Sequence, residues 1–395
     1  MSKPNRLFSI VLTLASIGQV SADLYLPSMP AISQQLMTHI DWVQFSMSVF
    51  LIGFALSQLF YGPVSDGIGR KKPLLAGLLL LLSGGLICMS ATNITWFIVG
   101  RTLQGLGAGS CITLSRAILR DLYAGTLLAR YASYMLVGSV VFMACAPLLG
   151  GYIQHVAHWR GNFIFLSLLT ATFMLVVFFF LPETNSKQDR NHMKLRNWLQ
   201  HLNTLARNNV FLSMSVLVFM AYAGILAWLS AGTVLMQQQA GLTPIQFGWT
   251  TVATGTSYGI GGVINAALVQ RLGLQRMLTT GLILMLIGSS TMLALYGIQH
   301  NVTVWNCVPP IMVYMMGTSF IFANAYASAL TPFAHIAGIA GSIFGCTQIL
   351  GGAVSSALIA RTIDVTQLPT ACVLLGTALI SLCVFTVARQ LTRRS

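Results

Sequence analysis

Long apolar runs separated by short polar segments follow one another along the whole chain. A helix needs about 20 apolar residues to cross a bilayer core about 30 Å thick, and twelve runs come close to this length or exceed it. We therefore predict an all-α polytopic membrane protein with twelve transmembrane helices. The runs lie at about residues 7–31, 42–61, 73–90, 95–118, 131–153, 160–181, 210–235, 247–270, 274–296, 303–328, 338–360 and 369–388.

The only long polar segment, residues 182–209, falls halfway along the chain and separates six runs from six. We predict an N-terminal six-helix bundle at residues 1–181, a linker at residues 182–209 and a C-terminal six-helix bundle at residues 210–395. Residues 193–205 of the linker form an amphipathic stretch, which we expect to lie on the membrane surface.

The two halves resemble each other around their second polar turns. Gly69 and Gly77 in the first half match Gly273 and Gly281 in the second half at a single offset of 204 residues. Many secondary transporters consist of tandem halves with the substrate site between them, near the membrane midplane. The repeat therefore favours a transporter built from two related bundles.

Composition excludes a soluble globular protein, because 55% of the residues are apolar and only 7% are charged, against about 25% charged residues in soluble domains. The net charge of +14 would suggest nucleic-acid binding in a soluble protein, yet 17 of the 21 basic residues fall in segments on one predicted side of the membrane. The loops on the other side contain only Arg160 and Arg361. Because basic residues mark cytoplasmic segments, we predict cytoplasmic termini, a cytoplasmic linker and no nucleic-acid partner.

The first apolar run imitates a secretory signal, because Lys3 and Arg6 precede it and small residues follow at positions 20–22. We interpret it as the first membrane helix, since hydrophobicity resumes beyond it and many further spans follow. The seven cysteines all fall inside apolar runs without a paired motif. We therefore expect small core residues there, and neither a metal site nor a cofactor.

Asp23 is the only acidic residue within an apolar run. A rise of 1.5 Å per residue places it about 24 Å from the inner membrane face and places Arg101, in the fourth run, about 21 Å from that face. Charges at this depth cost about 2.5–3.5 kcal/mol on insertion scales, so both are expected to face the protein interior. A static ion pair is one interpretation. We favour a carboxylate whose proton occupancy is coupled to transport, with Gln19 and Gln104 one turn away on the same helix faces.

Prolines and glycines mark two further places where helices bend or approach closely. The prolines that follow Asp23, at positions 27 and 30, are expected to end or kink the first helix just beyond the acid. In the fifth run, Pro147 is followed by Gly150 and Gly151, a combination that bends a helix and lets another helix approach. A simple helix end is the alternative for this segment.

The most specific string in the sequence lies between the second and third runs, at residues 62–74. Its glycines predict a tight reversal of the chain. Asp66 and Arg70 are placed to meet other helix ends on the same side, including Asp121 after the fourth run and the positively polarised start of the eleventh helix near Gly338.

These strings resemble the major facilitator superfamily. Its motif G-x-x-x-D-x-x-G-R-K/R between the second and third helices is matched by Gly62, Asp66, Gly69, Arg70 and Lys71. The string from Arg101 to Gly105 is similar to its R-x-x-Q-G pattern. The segment 146–151 resembles the antiporter signature G-P-x-x-G-G, with alanine in place of the first glycine.

The strings that begin at Asp23, Arg116, Leu229 and Asn324 resemble the bicyclomycin/chloramphenicol-resistance-like branch of proton-driven drug exporters. The resemblance implies a protein of the bacterial inner membrane that works by alternating access. It also implies that Asp23 and Arg101 take part in proton coupling. The residues implied in closing the cytoplasmic gate are Gly62, Asp66, Gly69, Arg70 and Asp121.

Together these observations predict a proton-coupled exporter of drug-like or amphipathic small molecules, functional as a monomer. An exporter of one metabolite or siderophore, and a nutrient importer on the same fold, are the alternatives. An enzyme is disfavoured, because no hydrolase, nucleotide-binding or metal motif occurs in the sequence. The side chains expected to line the cavity are Gln19, Tyr25, Gln104, Tyr131 and Trp228.

Overall fold

The computed structural model describes residues 3–185, 195–362 and 366–394, and within these ranges the chain is helical with no strand. Three short segments of 3₁₀ or π helix lie at Leu26–Ser28, Leu235–Gln239 and Thr331–Ile336. The helices are α1 (Lys3–Asp23), α2 (Met29–Gln35), α3 (Ile40–Ile68), α4 (Lys71–Ser90), α5 (Ile94–Leu122), α6 (Gly125–Phe180), α7 (Leu195–Ala206), α8 (Asn209–Val234), α9 (Pro244–Leu272), α10 (Leu274–Gln299), α11 (Val304–Leu330), α12 (Ala337–Ile359) and α13 (Gln367–Arg394).

Twelve of these helical segments cross the membrane, which confirms the predicted fold class. Ten stretches of the described residues are long and apolar enough to do so by composition alone. One of them, α6, has 56 residues and would be about 84 Å long if straight. It reverses at His158, whose φ of 58° lies in the left-handed region, and so makes two crossings. The charged helix α5, with 29 residues, supplies the remaining one.

Local sequence signals explain where several helices begin. The side chains of Asn93 and Asn208 accept hydrogen bonds from the first turns of α5 and α8. Thr243 and Gln246 form a complete capping box at the start of α9. These caps satisfy backbone N–H groups in the first turns of α5, α8 and α9, which have no acceptor within the helix.

The internal repeat is visible in the packing of α4 on α5 and of α10 on α11. A Cβ atom added to Gly107 of α5 would lie 2.5 Å from the carbonyl oxygen of Gly77, and one added to Gly317 of α11 would lie 2.5 Å from that of Gly281. The turns that precede α4 and α10 also match, because Gly69 and Gly273 have φ angles of 93° and 79°. Glycine is required at such angles, so the predicted offset corresponds to a structural repeat.

We name the end of the bundle with the α3–α4 turn the inner end, and the opposite end the outer end, after the orientation that the sequence predicts. The two halves meet at the outer end through α6 and α9. Cβ atoms added to Gly248 and Gly255 of α9 would lie 2.5 Å from Leu148 and Ala144 of α6. Further towards the inner end, an added Cβ at Gly259 would lie 3.9 Å from Val140 of α6. At these glycines the approach of the two helices is therefore tightest on the outer side.

Two hydrogen bonds between the halves lie at the outer end. Gln44 of α3 donates to the Ser230 carbonyl oxygen of α8 at 3.2 Å, and Gln237 donates to the Pro27 carbonyl oxygen at 3.0 Å. In the linker, α7 covers most of the predicted amphipathic stretch, and Leu205 near its end is buried. Residues 193 and 194 of that stretch lie outside the described residues.

Candidate functional site

Asp23 is the last residue of α1 and is only 1% exposed. A short helix that begins with the pair Leu26–Pro27 follows it, as the proline positions predict. Gln19, one turn earlier, donates a hydrogen bond from Nε2 to Asp23 Oδ2 at 3.1 Å. Asp23 Oδ1 has no hydrogen-bond partner among the described residues. The carboxyl group is thus buried and only half satisfied.

Arg101 of α5 is fully buried close to Asp23. It donates from Nη1 to the carbonyl oxygen of Ser21 at 2.9 Å and to Gln104 Oε1 at 2.8 Å. Its guanidinium carbon lies 4.2 Å from the ring centres of both Tyr25 and Phe50, a distance typical of cation–π interactions. The charge is therefore compensated by two carbonyl acceptors and two aromatic faces.

The structure does not contain the static ion pair that the sequence left open. Among the described residues, Arg70 makes the ion pairs whose nitrogen–oxygen distance is 4.0 Å or less. No such pair joins Asp23 to Arg101. Gln19 binds Asp23 and Gln104 binds Arg101, so each predicted glutamine accompanies the charge on its own helix.

A small cavity of about 20 Å³ lies beside Asp23, between the two halves. This volume holds about one water molecule. Ile225 and Leu229 of α8 and Tyr258 of α9 line the same cavity, so Asp23 borders the second half of the protein. The residues that line the cavity are Asp23, Met143, Ala144, Pro147, Ile225, Leu229, Thr251, Thr254, Gly255, Tyr258 and Met315.

None of the five predicted cavity residues lines this cavity. Gln19, Tyr25 and Gln104 instead contact Asp23 or Arg101. Tyr131 belongs to an aromatic cluster at the start of α6, where its ring centre is 4.2 Å from that of Tyr123 and 4.7 Å from that of Phe8. Trp228 of α8 is fully buried, and its indole N–H has no partner among the described residues. The cavity residues Thr254 and Tyr258 of the second half carried no signal in the sequence, because they are ordinary side chains of an apolar helix.

The predicted antiporter segment lies where three elements meet. Pro147 is inside α6 and lines the cavity. A Cβ atom on Gly150 would overlap the carbonyl oxygen of Leu24, and one on Gly151 would lie 2.6 Å from the carbonyl oxygen of Pro244. The glycines therefore permit the close approach that the sequence predicts, both to the residue after Asp23 and to the start of α9.

Arg70 organises a second polar cluster at the inner end. Its Nε donates to Asp121 Oδ2 at 2.9 Å, and its Nη1 donates to Ser65 Oγ at 2.7 Å and to Asp66 Oδ1. The hydrogen bonds that Arg70 donates to both carboxylates, together with their negative charges, outweigh the effect of burial and raise the pKa of Arg70. Gly69 ends α3 with a positive φ, which turns the chain so that Arg70 points back to these carboxylates.

The start of the linker completes this cluster. The sequence motifs predict the cluster of Asp66, Arg70 and Asp121 but not the part that the linker takes in it. Glu183 accepts hydrogen bonds from the backbone N–H groups of Arg70 at 2.7 Å and Lys71 at 3.1 Å, the first free donors of α4. Burial raises the pKa of Glu183, but these backbone hydrogen bonds outweigh it and hold the pKa below its ordinary value. Thr184 donates to Asp121 at 3.1 Å. The available signal was a carboxylate directly after the last apolar run of the first half.

Helix α12 of the second half packs against this inner end. A Cβ atom on Gly345 would lie 2.8 Å from Gln58 Oε1 of α3, and one on Gly62 would lie 3.5 Å from Ser342 Oγ of α12. Because the helices run in opposite directions along this contact, Asp66, one turn beyond Gly62, lies towards the first turn of α12. No group of three metal-binding side chains occurs among the described residues.

Known proteins resemble this chain along nearly its whole length. Two bacterial relatives are each 28% identical to it. The "Bicyclomycin resistance protein homolog" of Haemophilus influenzae aligns over 91% of each chain. The "Multidrug resistance protein D" of Escherichia coli K12 aligns over 90% of this chain and 88% of its own. Their names agree with the drug-exporter branch that the sequence motifs indicate.

Two solved transporters share the fold at 13% identity. The peptide transporter POT superposes with a TM-score of 0.77 and covers 100% of this chain and 98% of its own. The xylose transporter XylE from E. coli, in a partially occluded inward-open conformation, superposes with a TM-score of 0.72 and covers 95% of this chain and 97% of its own. A family model described as "Major Facilitator Superfamily" matches residues 11–356. The chain therefore belongs to the major facilitator superfamily of membrane transporters.

Proposed function

We propose that this protein exports drug-like or amphipathic small molecules in exchange for protons, by alternating access. The observation that carries the proposal is the state of Asp23. It is buried, one of its oxygens has no partner among the described residues, and it borders a cavity between the two halves. A carboxyl group in this position can exchange a proton against cargo while both halves respond to its charge.

The cavity in this conformation holds about one water molecule, and its mostly apolar lining supports a cargo of low polarity that enters when the two halves move apart. Met143 and Met315 contribute adaptable apolar surface, and Thr251 and Thr254 contribute hydroxyl groups. Methionine-rich surfaces repack around different ligands. The drug-resistance names of the relatives support the same substrate class. One dedicated metabolite or siderophore, and import in place of export, are distinguished from this proposal by the transport assay below.

The inner-end cluster is proposed to stabilise the outward-facing state. Asp66, Arg70, Asp121 and Glu183 join α3, α4, α5 and the linker, and α12 of the second half packs beside them. A change of state would break the outer-end contacts of Gln44 and Gln237 and alter the packing of α12 beside this cluster. Only the equilibrium between the states is expected to respond to this cluster.

The proposed orientation places both termini and the linker in the bacterial cytoplasm. Single cysteines at positions 190 and 361 in a cysteine-free parent test it in intact cells. A membrane-impermeant thiol reagent should label position 361 from outside, whereas position 190 should react only after the inner face is opened. The opposite labelling pattern would reverse the orientation.

Transport tests the proposed function in inside-out vesicles with an imposed pH gradient. Ethidium and bicyclomycin serve as probes of the cationic and neutral classes. We expect uphill accumulation by the parent and none by Asp23→Asn, which removes the titrating group and nearly preserves its shape. Asp41→Asn, at the outer start of α3, is the matched control and should resemble the parent. Uphill transport by Asp23→Asn at the parental rate would exclude Asp23 as the coupling residue.

A further inference from the structure

Arg101 is compensated in an unusual way for a buried cation. Buried charges generally pair with an opposite charge, yet no carboxylate lies within 4.0 Å of Arg101 among the described residues. The rings of Tyr25 and Phe50 face it at equal distances of 4.2 Å, and its Nε has no hydrogen-bond partner in the described chain. The two aromatic faces therefore stand where a carboxylate is expected.

The position of the Phe50 ring follows from the backbone of α5. A Cβ atom on Gly105, one turn after Arg101, would overlap the carbonyl oxygen of Phe50. The glycine thus lets α3 approach α5 at the height where the Phe50 ring covers the guanidinium group. Gln104 meanwhile accepts a hydrogen bond from Arg101 at 2.8 Å. The three fixed positions of the R-x-x-Q-G string therefore have linked roles. Arg101 carries the charge, Gln104 accepts a hydrogen bond from it, and Gly105 lets Phe50 approach it.

Asp23 and Arg101 would attract each other strongly in a medium of low dielectric constant. They nevertheless have separate partners, Gln19 for the carboxylate and the Ser21 carbonyl for the guanidinium. The other titratable groups that interact with the pair, Tyr25, Cys88 and Tyr222, are phenols and a thiol. Neither group type is charged near neutral pH without strong perturbation. Arg101 is therefore held by its hydrogen bonds to the Ser21 carbonyl and to Gln104 and by the two aromatic rings, and not by a competing charge.

We propose that Phe50 is a positioning residue that, together with Tyr25, holds the charged Arg101 away from Asp23 and so keeps Asp23 available to protons. The claim that proton access to Asp23 matters for export rests on the proposed function. The claim that Phe50 positions Arg101 does not. Simple core packing is the competing role for Phe50. Packing depends on the shape of the ring, whereas cation–π attraction depends on the negative charge of its face.

Carbodiimide labelling of purified protein separates these roles without substrate or transport. Dicyclohexylcarbodiimide adds to a protonated carboxyl group to form an O-acylisourea, and it does not modify a carboxylate. The acyl group then moves to nitrogen: its C–O bond breaks as a C–N bond forms, and the oxygen remains as the urea carbonyl of the stable N-acylurea. The rate of labelling at Asp23, followed by peptide mass spectrometry at several pH values, measures the protonated fraction. Replacement of Phe50 by mono-, di- and trifluorophenylalanine reduces the negative charge on the face of the ring in steps and nearly preserves the shape of the ring.

We expect labelling at a given pH to slow with each fluorine, by about tenfold in total. A ring with a less negative face attracts the Arg101 guanidinium group less strongly, so Arg101 can move towards Asp23. A cation close to Asp23 favours the ionised carboxylate. Phe54, one turn further along α3, is the matched control, because it is equally buried and contacts Phe50. The same series at Phe54 should leave the rate unchanged. Phe50→Tyr should label like the parent and Phe50→Leu more slowly.

Equal rates across the Phe50 series, or equal slowing in the Phe54 series, would overturn the positioning role. Failure to label Asp23 in the parent at any pH would overturn it as well, because the carboxyl group would then not be available to protons. If labelling follows the expected order while Asp23→Asn still transports uphill, the positioning is supported and the proposed coupling function fails. The two proposals can therefore fail separately.

Discussion

The two halves of the protein repeat the same helix packing but differ in charge. Gly84 of α4 packs on the carbonyl of Gly100 in α5, and Gly288 of α10 packs on the carbonyl of Pro310 in α11, with the built Cβ at 2.5 Å from the oxygen in both cases. This correspondence aligns Arg101 with Ile311. The first half thus buries a cation where the second half buries an isoleucine.

The two turns at the inner end differ in the same way. Arg70 binds two carboxylates in the first half. The turn at residues 270–278 has no acidic residue, and Arg271 and Arg276 make no ion pair within the part of the chain that the structure describes. The second half shows that this packing does not require the charges. We infer that the charges of the first half serve function, since burying them costs stability.

The largest effect is expected from substitutions that break the packing common to both halves. Gly107→Leu and Gly317→Leu each force a side chain against a backbone carbonyl and should destabilise the protein by about 3 kcal/mol or more. Gly297→Leu is the control, because an added Cβ there meets nothing within 4 Å. Thermal unfolding in detergent measures the effect. A large loss in only one half would contradict the structural repeat.

A smaller effect should separate the two inner turns. Arg70→Gln leaves Asp66 and Asp121 without their cation, so we expect transport to fall about tenfold, the effect of losing about 1.5 kcal/mol of charge-assisted hydrogen bonding in one state. Arg276→Gln at the corresponding turn should change transport less than about twofold. Cysteine crosslinking between α3 and α12 reports the population of each state. Equal effects of the two substitutions would remove the distinction between the halves.

The smallest effect is expected at the linker. Glu183→Gln weakens the cap of α4, and because the carboxylate is partly exposed we expect a loss of about 0.5 kcal/mol. The folded state lowers the pKa of Glu183 below its ordinary value of 4.5. Its contribution is therefore complete above that value and disappears as the pH falls through the lowered pKa. Unfolding midpoints of parent and variant should differ at neutral pH and converge in acid. A difference that grows in acid would contradict this role.

The sequence predicts the fold well because each membrane span is a long apolar segment, which can be recognised without knowledge of any contact between distant residues. Apolar runs give the helix count, and the common offset of the pairs Gly69/Gly273 and Gly77/Gly281 indicates the repeat, which the positive φ of Gly69 and Gly273 then supports. The two crossings inside α6 were predicted as separate helices, although the chain continues through His158 with a single non-helical residue. Helix existence is thus read more securely than helix boundaries.

The site is predicted only in part. Asp23, Arg101, Gln19 and Gln104 stand out because polar groups at membrane depth are costly. Phe50 is one apolar residue among many, and only the three-dimensional approach of α3 to Gly105 shows what its ring covers. Glu183 looks like any loop carboxylate until its contacts with α4 are seen. Contacts between distant segments carry this information, and the spacing of residues along one chain does not.

Proton release by the purified protein tests the central claim about Asp23 most directly. Addition of a transported substrate to the parent in weakly buffered detergent solution should release about one proton per bound molecule, since binding and proton occupancy are linked at one carboxyl group. The Asp23→Asn variant should bind the same substrate and release none. Release of the same amount by Asp23→Asn would show that Asp23 is structural and that protons are exchanged at another group.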